Sequence, residues 1–267
     1  MAQAYINFGY LADIDGNISM ARKWNLEALE IRLKLADETG TIEAKYNLAN
    51  SYNRLGYLST KENKYSESRE WYLKEIDICQ KLKDETDTVE SKTKLALSYH
   101  NMVKLANSEG NLTEVKEWLL KEIEIEQELV NETGTNEWKS DLAQAYINFG
   151  YLANSEGNIS EAKEWLLKSI AISQKLADET KSIDAKINLA QSYNNLAVIS
   201  REEGNISEAK DLFLKSIAIR QNLVDETKSI DAKINLAQSY NNLAVISREE
   251  GNISEAKEWL LKSISIR

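Results

Sequence analysis

The sequence predicts an all-α protein, an α-solenoid of antiparallel helix hairpins, and three observations lead there. The 267 residues contain no proline and only 10 glycines, so little would break a helix and little would build a sheet. Tyr5, Tyr52, Tyr99, Tyr146, Tyr193 and Tyr240 stand 47 residues apart at every step, without insertion or deletion, which is the signature of a repeat array. Within a unit the apolar residues recur at three- and four-residue steps, the mark of amphipathic helices. Residues 182–220 and 229–267 differ at only four places, and such copying is tolerated where each unit packs on its neighbour as its parent did. The expectation is one repeat domain over 1–267, about 5.7 units with boundaries near 41, 88, 135, 182 and 229, as a fragment of a longer array.

Each unit reads as two helices of about 20 residues, roughly 30 Å long. In the fifth unit, Ile183, Ile187, Leu189, Ala190, Tyr193, Leu196, Ala197 and Ile199 form the apolar stripe of the first helix. Ser182 is its expected N-cap, with Asp184 in the first turn where the helix dipole favours negative charge. Gly204 ends it by taking a positive φ, as do Gly16, Gly110, Gly157 and Gly251, with Asn63 in that place in the second unit. The second helix opens on Asn205 with Glu208 three residues on, a capping-box pattern. It buries Ile206, Ala209, Leu212, Phe213, Ile217 and Ile219 and runs through Leu223 to about Asp225, where a DETKS turn leads into the next unit.

Composition narrows the function. There are 43 acidic against 33 basic residues, a formal charge of −10, which argues against nucleic acid as a partner because that affinity rests on Lys and Arg displacing counterions. Cys79 is the only cysteine, so no intrachain disulfide forms, which fits a reducing, cytoplasmic location. No apolar run approaches the roughly 18 residues needed to span a bilayer, and MAQAYINFGY does not read as a signal peptide; no membrane partner is expected.

Converging catalytic groups are scarce. His100 is the only histidine, and its counterparts Ile6, Asn53, Ile147, Asn194 and Asn241 suggest a groove-lining side chain rather than a base. Cys79 has counterparts Arg32, Glu126, Ser173 and Arg220, which reads as a variable, exposed position. No glycine-rich phosphate loop and no metal-ligand spacing is present, so neither an enzyme, a cofactor nor a metal is expected. The N-x-Ser/Thr strings at Asn17, Asn111, Asn158, Asn205 and Asn252 are explained as helix N-caps. Trp24, Trp71, Trp118, Trp165 and Trp259 repeat at one place on the second helix, a packing position that would become a binding stripe if half exposed. Trp138 lies outside this register and is expected to cover the start of a first helix.

The run Y-N-N-L-A…G-N-I-S-E-A…L-F…I from Tyr193 resembles the tetratricopeptide repeat, with its large residue, Leu three on, small residue, turn Gly, and Ala and aromatic on the second helix. NNLA and GNISEAK look most like the longer-unit variety of kinesin light chain and bacterial repeat arrays. The chain departs from the usual 34-residue pattern by 13 extra residues per unit. The terminating proline gives way to Leu33, Gln80, Gln127, Gln174 and Gln221. The small residue at Ala28 becomes Glu75, Glu122, Ser169, Ser216 and Ser263.

In that family the first helices line a concave face, so the resemblance implies a groove built from a ladder that the apolar stripe does not need. Asn7, Asn101, Asn148, Asn195 and Asn242 recur two residues after each ladder tyrosine, with Arg54 in the second unit; Gln144, Gln191, Tyr10, Tyr57, Tyr151, Lys104 and His100 lie close by. A side-chain amide both donates and accepts, and so can pair with a peptide backbone in either sense, at about 1 kcal/mol per bond. The competing expectation is that these asparagines bond between adjacent units and stabilise the stack. The leading functional expectation is a non-catalytic scaffold holding a protein or extended peptide. The alternatives are head-to-tail self-association through uncapped ends and a regulatory, peptide-sensing domain of a larger protein.

Overall fold

A computed structural model describes residues 1–266; Arg267 lies outside them. The described residues form twelve helices and no strand: α1 (Ala2–Ile14), α2 (Ile18–Thr39), α3 (Ile42–Lys61), α4 (Tyr65–Thr86), α5 (Val89–Ser108), α6 (Leu112–Thr133), α7 (Asn136–Ser155), α8 (Ile159–Thr180), α9 (Ile183–Glu202), α10 (Ile206–Thr227), α11 (Ile230–Glu249) and α12 (Ile253–Ser265). They fall into two compact units, residues 1–133 with α1–α6 and residues 134–267 with α7–α12. In each unit every helix packs on the next in sequence, so the architecture is a stack of antiparallel hairpins.

First helices begin at Ile42, Val89, Asn136, Ile183 and Ile230, 47 residues apart. Their ends follow local chemistry. Thr41 and Ser182 accept the backbone N–H of Ala44 and Ala185, and Thr88 with Ser91 forms a reciprocal capping box that satisfies two otherwise orphaned donors. Gly204 (φ 81°) and Asn63 (φ 57°) take the left-handed conformation just past the helix end, as expected. At the second helices the expectation holds only in part. Asn17 and Asn252 accept from Met20 and Glu255, but Asn158 and Asn205 occupy the cap position without a side-chain cap bond. The capping box expected at Asn205 and Glu208 does not form; Asn205 turns its Nδ2 toward Glu203 instead, 3.5 Å away. Nor does α10 stop near Asp225: it continues to Thr227 and closes on Lys228 at φ 51°. Asp225-Glu226-Thr227 is helical because the Thr227 hydroxyl donates to the Leu223 carbonyl, 2.7 Å away, inside the last turn.

Two features hold neighbouring hairpins in register. A cation and a glutamate 40 residues later pair across the stack, as Arg22–Glu62, Lys45–Glu85 and Lys92–Glu132 in the first unit and Lys163–Glu203, Lys186–Glu226 and Lys210–Glu250 in the second. Half-exposed pairs of this kind contribute well under about 1 kcal/mol each, so their repetition specifies alignment more than it adds stability. Within hairpins, Gly56 and Gly150 let helices approach closely. A Cβ on Gly56 would lie 2.6 Å from the Tyr72 ring, and one on Gly150 would lie 2.8 Å from Leu166 Cγ.

The tryptophans pack, as the first of the two expectations has it, but they are half-buried rather than sealed. Trp24, Trp71, Trp118, Trp165 and Trp259 lie 5.2–5.8 Å from Tyr5, Tyr52, Tyr99, Tyr146 and Tyr240 of the same hairpin. Lysine ammoniums cover their outer faces, Lys121 over Trp118 at 4.1 Å and Lys168 over Trp165 at 4.0 Å, a favourable cation–π arrangement. Trp138 sits half-buried in the first turn of α7.

Candidate functional site

The expected ladder lies on the first helices. Asn101, Asn148, Asn195, Asn242, Gln144, Gln191 and His100 are half-buried, and Asn7, Tyr10, Tyr57, Tyr151 and Lys104 are exposed. The amides are held by one another rather than by the helix backbone. Gln144 Nε2 donates to Asn148 Oδ1 at 3.0 Å and Gln238 Nε2 to Asn242 Oδ1 at 3.2 Å, one turn apart on the same helix. Gln3 and Asn7 repeat this pairing at 3.1 Å. Between adjacent first helices, Asn242 Nδ2 donates to Asn194 Oδ1 at 3.1 Å, so one rung carries the inter-unit bond that the competing expectation describes.

The first unit treats the ladder differently. Arg54 does not stand free: its guanidinium donates to Asp13 Oδ2 at 2.7 Å and lies over the Tyr57 and Tyr10 rings at 5.0 and 5.7 Å. Lys61 donates to the other Asp13 oxygen at 2.7 Å. These two cations outweigh the cost of burial and hold the Asp13 carboxyl below the usual range. His100 faces α6, with Nδ1 2.7 Å from Glu122 Oε1.

That contact belongs to a polar seam between the two helices of a hairpin. By repeat register the seam joins position 53 to 75, 100 to 122, 147 to 169 and 194 to 216. Asn53 Nδ2 donates to both Glu75 oxygens at 3.0 and 3.1 Å, and Ser98 Oγ donates to Oε1 at 2.9 Å. Burial nevertheless dominates and pushes the Glu75 carboxyl from the ordinary 4.5 up to about 7, against the lowering effect of these bonds and of Lys94. In the second unit the acids are gone. Ser169 and Ser216 are fully buried, and they bond Ser192 Oγ at 2.9 Å and the Ala190 carbonyl at 2.7 Å.

The position of Cys79 corrects the sequence reading. It is not an exposed, variable site: Arg32, Cys79, Glu126, Ser173 and Arg220 are all buried, between 0% and 9% exposed. Variation from cation to thiol to carboxylate imitates a surface position, and only the packing reveals that these side chains are enclosed, with Arg32, Cys79 and Arg220 each meeting a serine of the next first helix. Burial raises the Cys79 thiol to about 11, so it stays protonated and unreactive near neutrality. Arg220 Nη1 donates to the Asn235 carbonyl at 2.7 Å and to Ser239 Oγ at 2.6 Å. Ile183 and Ile187, expected in the core, are 44% and 40% exposed. With Gln191, Asn194, Asn195 and Arg220 they line a pocket of about 470 Å³ between α9, α10 and α11.

Among the described residues no group of three or more His, Cys, Asp or Glu side chains is placed to hold a metal, and no helix is long and apolar enough to cross a membrane.

Stacked two-helix units with this cap chemistry and this small-residue crossing define an α-solenoid repeat protein. Residues 189–227 and 236–267 match one tetratricopeptide repeat model, and residues 143–176 match another. These segments of the chain are tetratricopeptide repeats. Comparison with curated proteins gives no match. Among solved structures the fold is similar to that of BtubC (BKLC) from P. vanneervenii, with 18% identity and a TM-score of 0.71 over 94% of this chain and 91% of that one. A putative kinesin light chain from Podosopora anserina with nearly identical TPR-like repeats is 18% identical, with a TM-score of 0.53 over 81% of this chain and 93% of that one. The S. pombe nuclear import adaptor Nro1 is 14% identical, with a TM-score of 0.60 over 98% and 91%. At these identities the likeness is one of fold.

Proposed function

We infer that the chain is a non-catalytic scaffold that holds an extended peptide, or an extended segment of a partner protein, along the face made by its first helices. The observation that supports this most is the state of the amide ladder. Asn148, Asn195 and Asn242 keep solvent-accessible side chains that bond to other amides and leave the backbone of their own helices alone. An amide bonded only to another amide exchanges partners at little net cost, since each bond formed replaces one of similar kind. A peptide backbone offers the donor and acceptor such a ladder can take up. The exposed rings of Tyr10, Tyr57 and Tyr151 add apolar area with a polar tip beside it, a combination suited to recognition surfaces. A scaffold role also accords with the neighbour named as a nuclear import adaptor.

The test is selection of a random decapeptide library on the immobilised chain, followed by binding of the selected peptides to the Asn148→Ala, Asn195→Ala, Asn242→Ala triple variant. Equal helical circular dichroism of the two proteins is checked first. Three lost bonds of about 1 kcal/mol each correspond to roughly a hundredfold weaker binding. Peptides that bind the triple variant as tightly as the parent would show that the ladder does not hold them.

A further inference from the structure

The second helices carry a leucine that the core does not account for. Leu26, Leu73, Leu120, Leu167, Leu214 and Leu261 stand at one register, 47 residues apart, and every one is exposed, from 39% at Leu214 to 66% at Leu261. A single exposed apolar residue is ordinary, but a row of them on one face is a patch, and exposed patches mark interaction surfaces. The two units surround this row differently. One turn after the leucine the first unit has exposed acids, Glu30, Asp77 and Glu124, where the second has exposed Ala171, Ala218 and Ser265. In the second unit small residues widen the row and let another surface approach it closely; in the first unit charge interrupts it.

Charges flank the row in the second unit in a fixed order. Three residues before each leucine stands an acid, Glu164, Asp211 and Glu258, and directly after it a lysine, Lys168, Lys215 and Lys262. All of these side chains are exposed. Acid and lysine lie about one helical turn apart, roughly 6 Å along the axis, so the face presents an acidic row and a basic row side by side along the stack. The lysines are held in place by aromatic rings. The Lys168 and Lys262 ammoniums lie 4.0 Å from the Trp165 and Trp259 ring centroids, and that of Lys215 lies 5.5 Å from the Tyr193 centroid. Lys168 also meets Glu164 of its own helix at 3.1 Å, an exposed pair that contributes little and can be exchanged for another of the same kind.

We propose that the outer face of α8, α10 and α12 is a self-association surface, on which a second copy of this chain docks isologously. The order of the rows selects the occupant and its orientation. A copy turned about a two-fold axis parallel to the leucine row lays its lysines on the acids of the first copy and its acids on the lysines, with leucine and alanine meeting between them. The other in-plane two-fold axis, along the helices, lays acid on acid and lysine on lysine, which like-charge repulsion disfavours. The favoured arrangement runs the second helices of the two copies antiparallel. It has the anatomy of a protein interface, an apolar centre with a charged rim, and the self-complementarity that a two-fold dimer requires. The amide ladder lies on the first helices, so the proposal stands independently of the peptide-binding reading.

The experiment is sedimentation velocity of the whole chain over a concentration series, with equal helical circular dichroism of every variant checked first. The mass should double as concentration rises. Leu167→Asp with Leu214→Asp should weaken the dimer by about tenfold or more, whereas the matching first-unit variant, Leu73→Asp with Leu120→Asp, should associate like the parent. Charge exchange then tests the orientation. One variant carries Glu164→Lys, Asp211→Lys and Glu258→Lys; another carries Lys168→Glu, Lys215→Glu and Lys262→Glu. Each should be monomeric alone, and an equimolar mixture should form the dimer again, a recovery that misfolded variants would not give. A parent chain still monomeric at a concentration on the order of 100 μM would overturn the proposal and leave the row to a different partner. A dimer that survives the second-unit leucine variant would overturn it by locating the association on another surface. A mixture no more associated than its components would overturn the pairing of the rows.

Discussion

The two units build one hairpin from nearly the same pattern and fill its polar seam in opposite ways. In the first unit the seam is acidic, with Glu75 under Asn53 and Ser98, and Glu122 under His100. In the second it is a run of buried serines, Ser169 and Ser216, whose hydroxyls bond locally. The residue opposite tracks the change: Asn53 and His100 can bond an acid, whereas Ile147, facing Ser169, cannot. A buried carboxylate is tolerated only where its bonding partners are built with it. The exceptions are Asn194 opposite Ser216 and, by register, Asn241 opposite Ser263, where the partner is present and the acid is absent, and the pocket with Arg220 opens at the first of them.

The largest test of this comparison transfers the acid. Ser169→Glu would bury a carboxylate against Ile147, 1% exposed, and should destabilise the second unit by about 3–5 kcal/mol, the cost of an uncompensated buried charge. Adding Ile147→Asn should recover part of that loss. A shift of the urea midpoint as large for the double variant as for the single one would show that the opposite residue does not matter.

Next is the pH dependence of the first unit. The Glu75 carboxyl titrates near 7 in the folded protein and near its ordinary 4.5 when unfolded. Between those values the folded state binds more protons, so stability is highest below about pH 4.5, falls as pH rises through the window, and has lost its full share above 7. The share is on the order of 3 kcal/mol. Glu75→Gln, which keeps a hydrogen-bonding side chain and removes the charge, should flatten that part of a stability profile measured by denaturant titration between pH 5 and pH 8. An unchanged slope would show that Glu75 is not its source.

A smaller effect separates close approach from its relief. Gly56→Ala sets a methyl within 2.6 Å of the Tyr72 ring and should cost about 1–3 kcal/mol. The register equivalent in the second unit, Ala197, already carries that methyl opposite Phe213. The smallest effect concerns the caps. Thr88→Ala removes a reciprocal capping box and should cost about 1 kcal/mol, while Asn205→Ala, with no side-chain cap bond to lose, should cost a few tenths. Both are read as changes in thermal midpoint.

Much of this molecule was legible in its residues. The 47-residue step of the tyrosines sets the helix starts at Ile42, Val89, Asn136, Ile183 and Ile230, and Gly204 and Asn63 mark the helix ends because a positive φ is a local demand. The ladder residues fall on the first helices as their spacing implies. Other features were hidden. Ile183 and Ile187 follow the apolar period of α9 yet face an open pocket, because periodicity reports which side of a helix is apolar and not whether a neighbour covers it. The buried register of Arg32, Cys79, Glu126, Ser173 and Arg220 looked like surface, because charge is the usual sign of exposure.

The sequence by itself determined the helices, their order and their repeat, since these rest on propensity, periodicity and caps that act within a few residues. The tertiary structure alone decided which polar side chains are enclosed and what they meet there. Burial depends on helices that pack together from positions 19–23 residues apart, and one register carries an acid in Glu75 where donors surround it and a serine in Ser216, while the register of Cys79 carries in Arg220 a cation lining an open pocket.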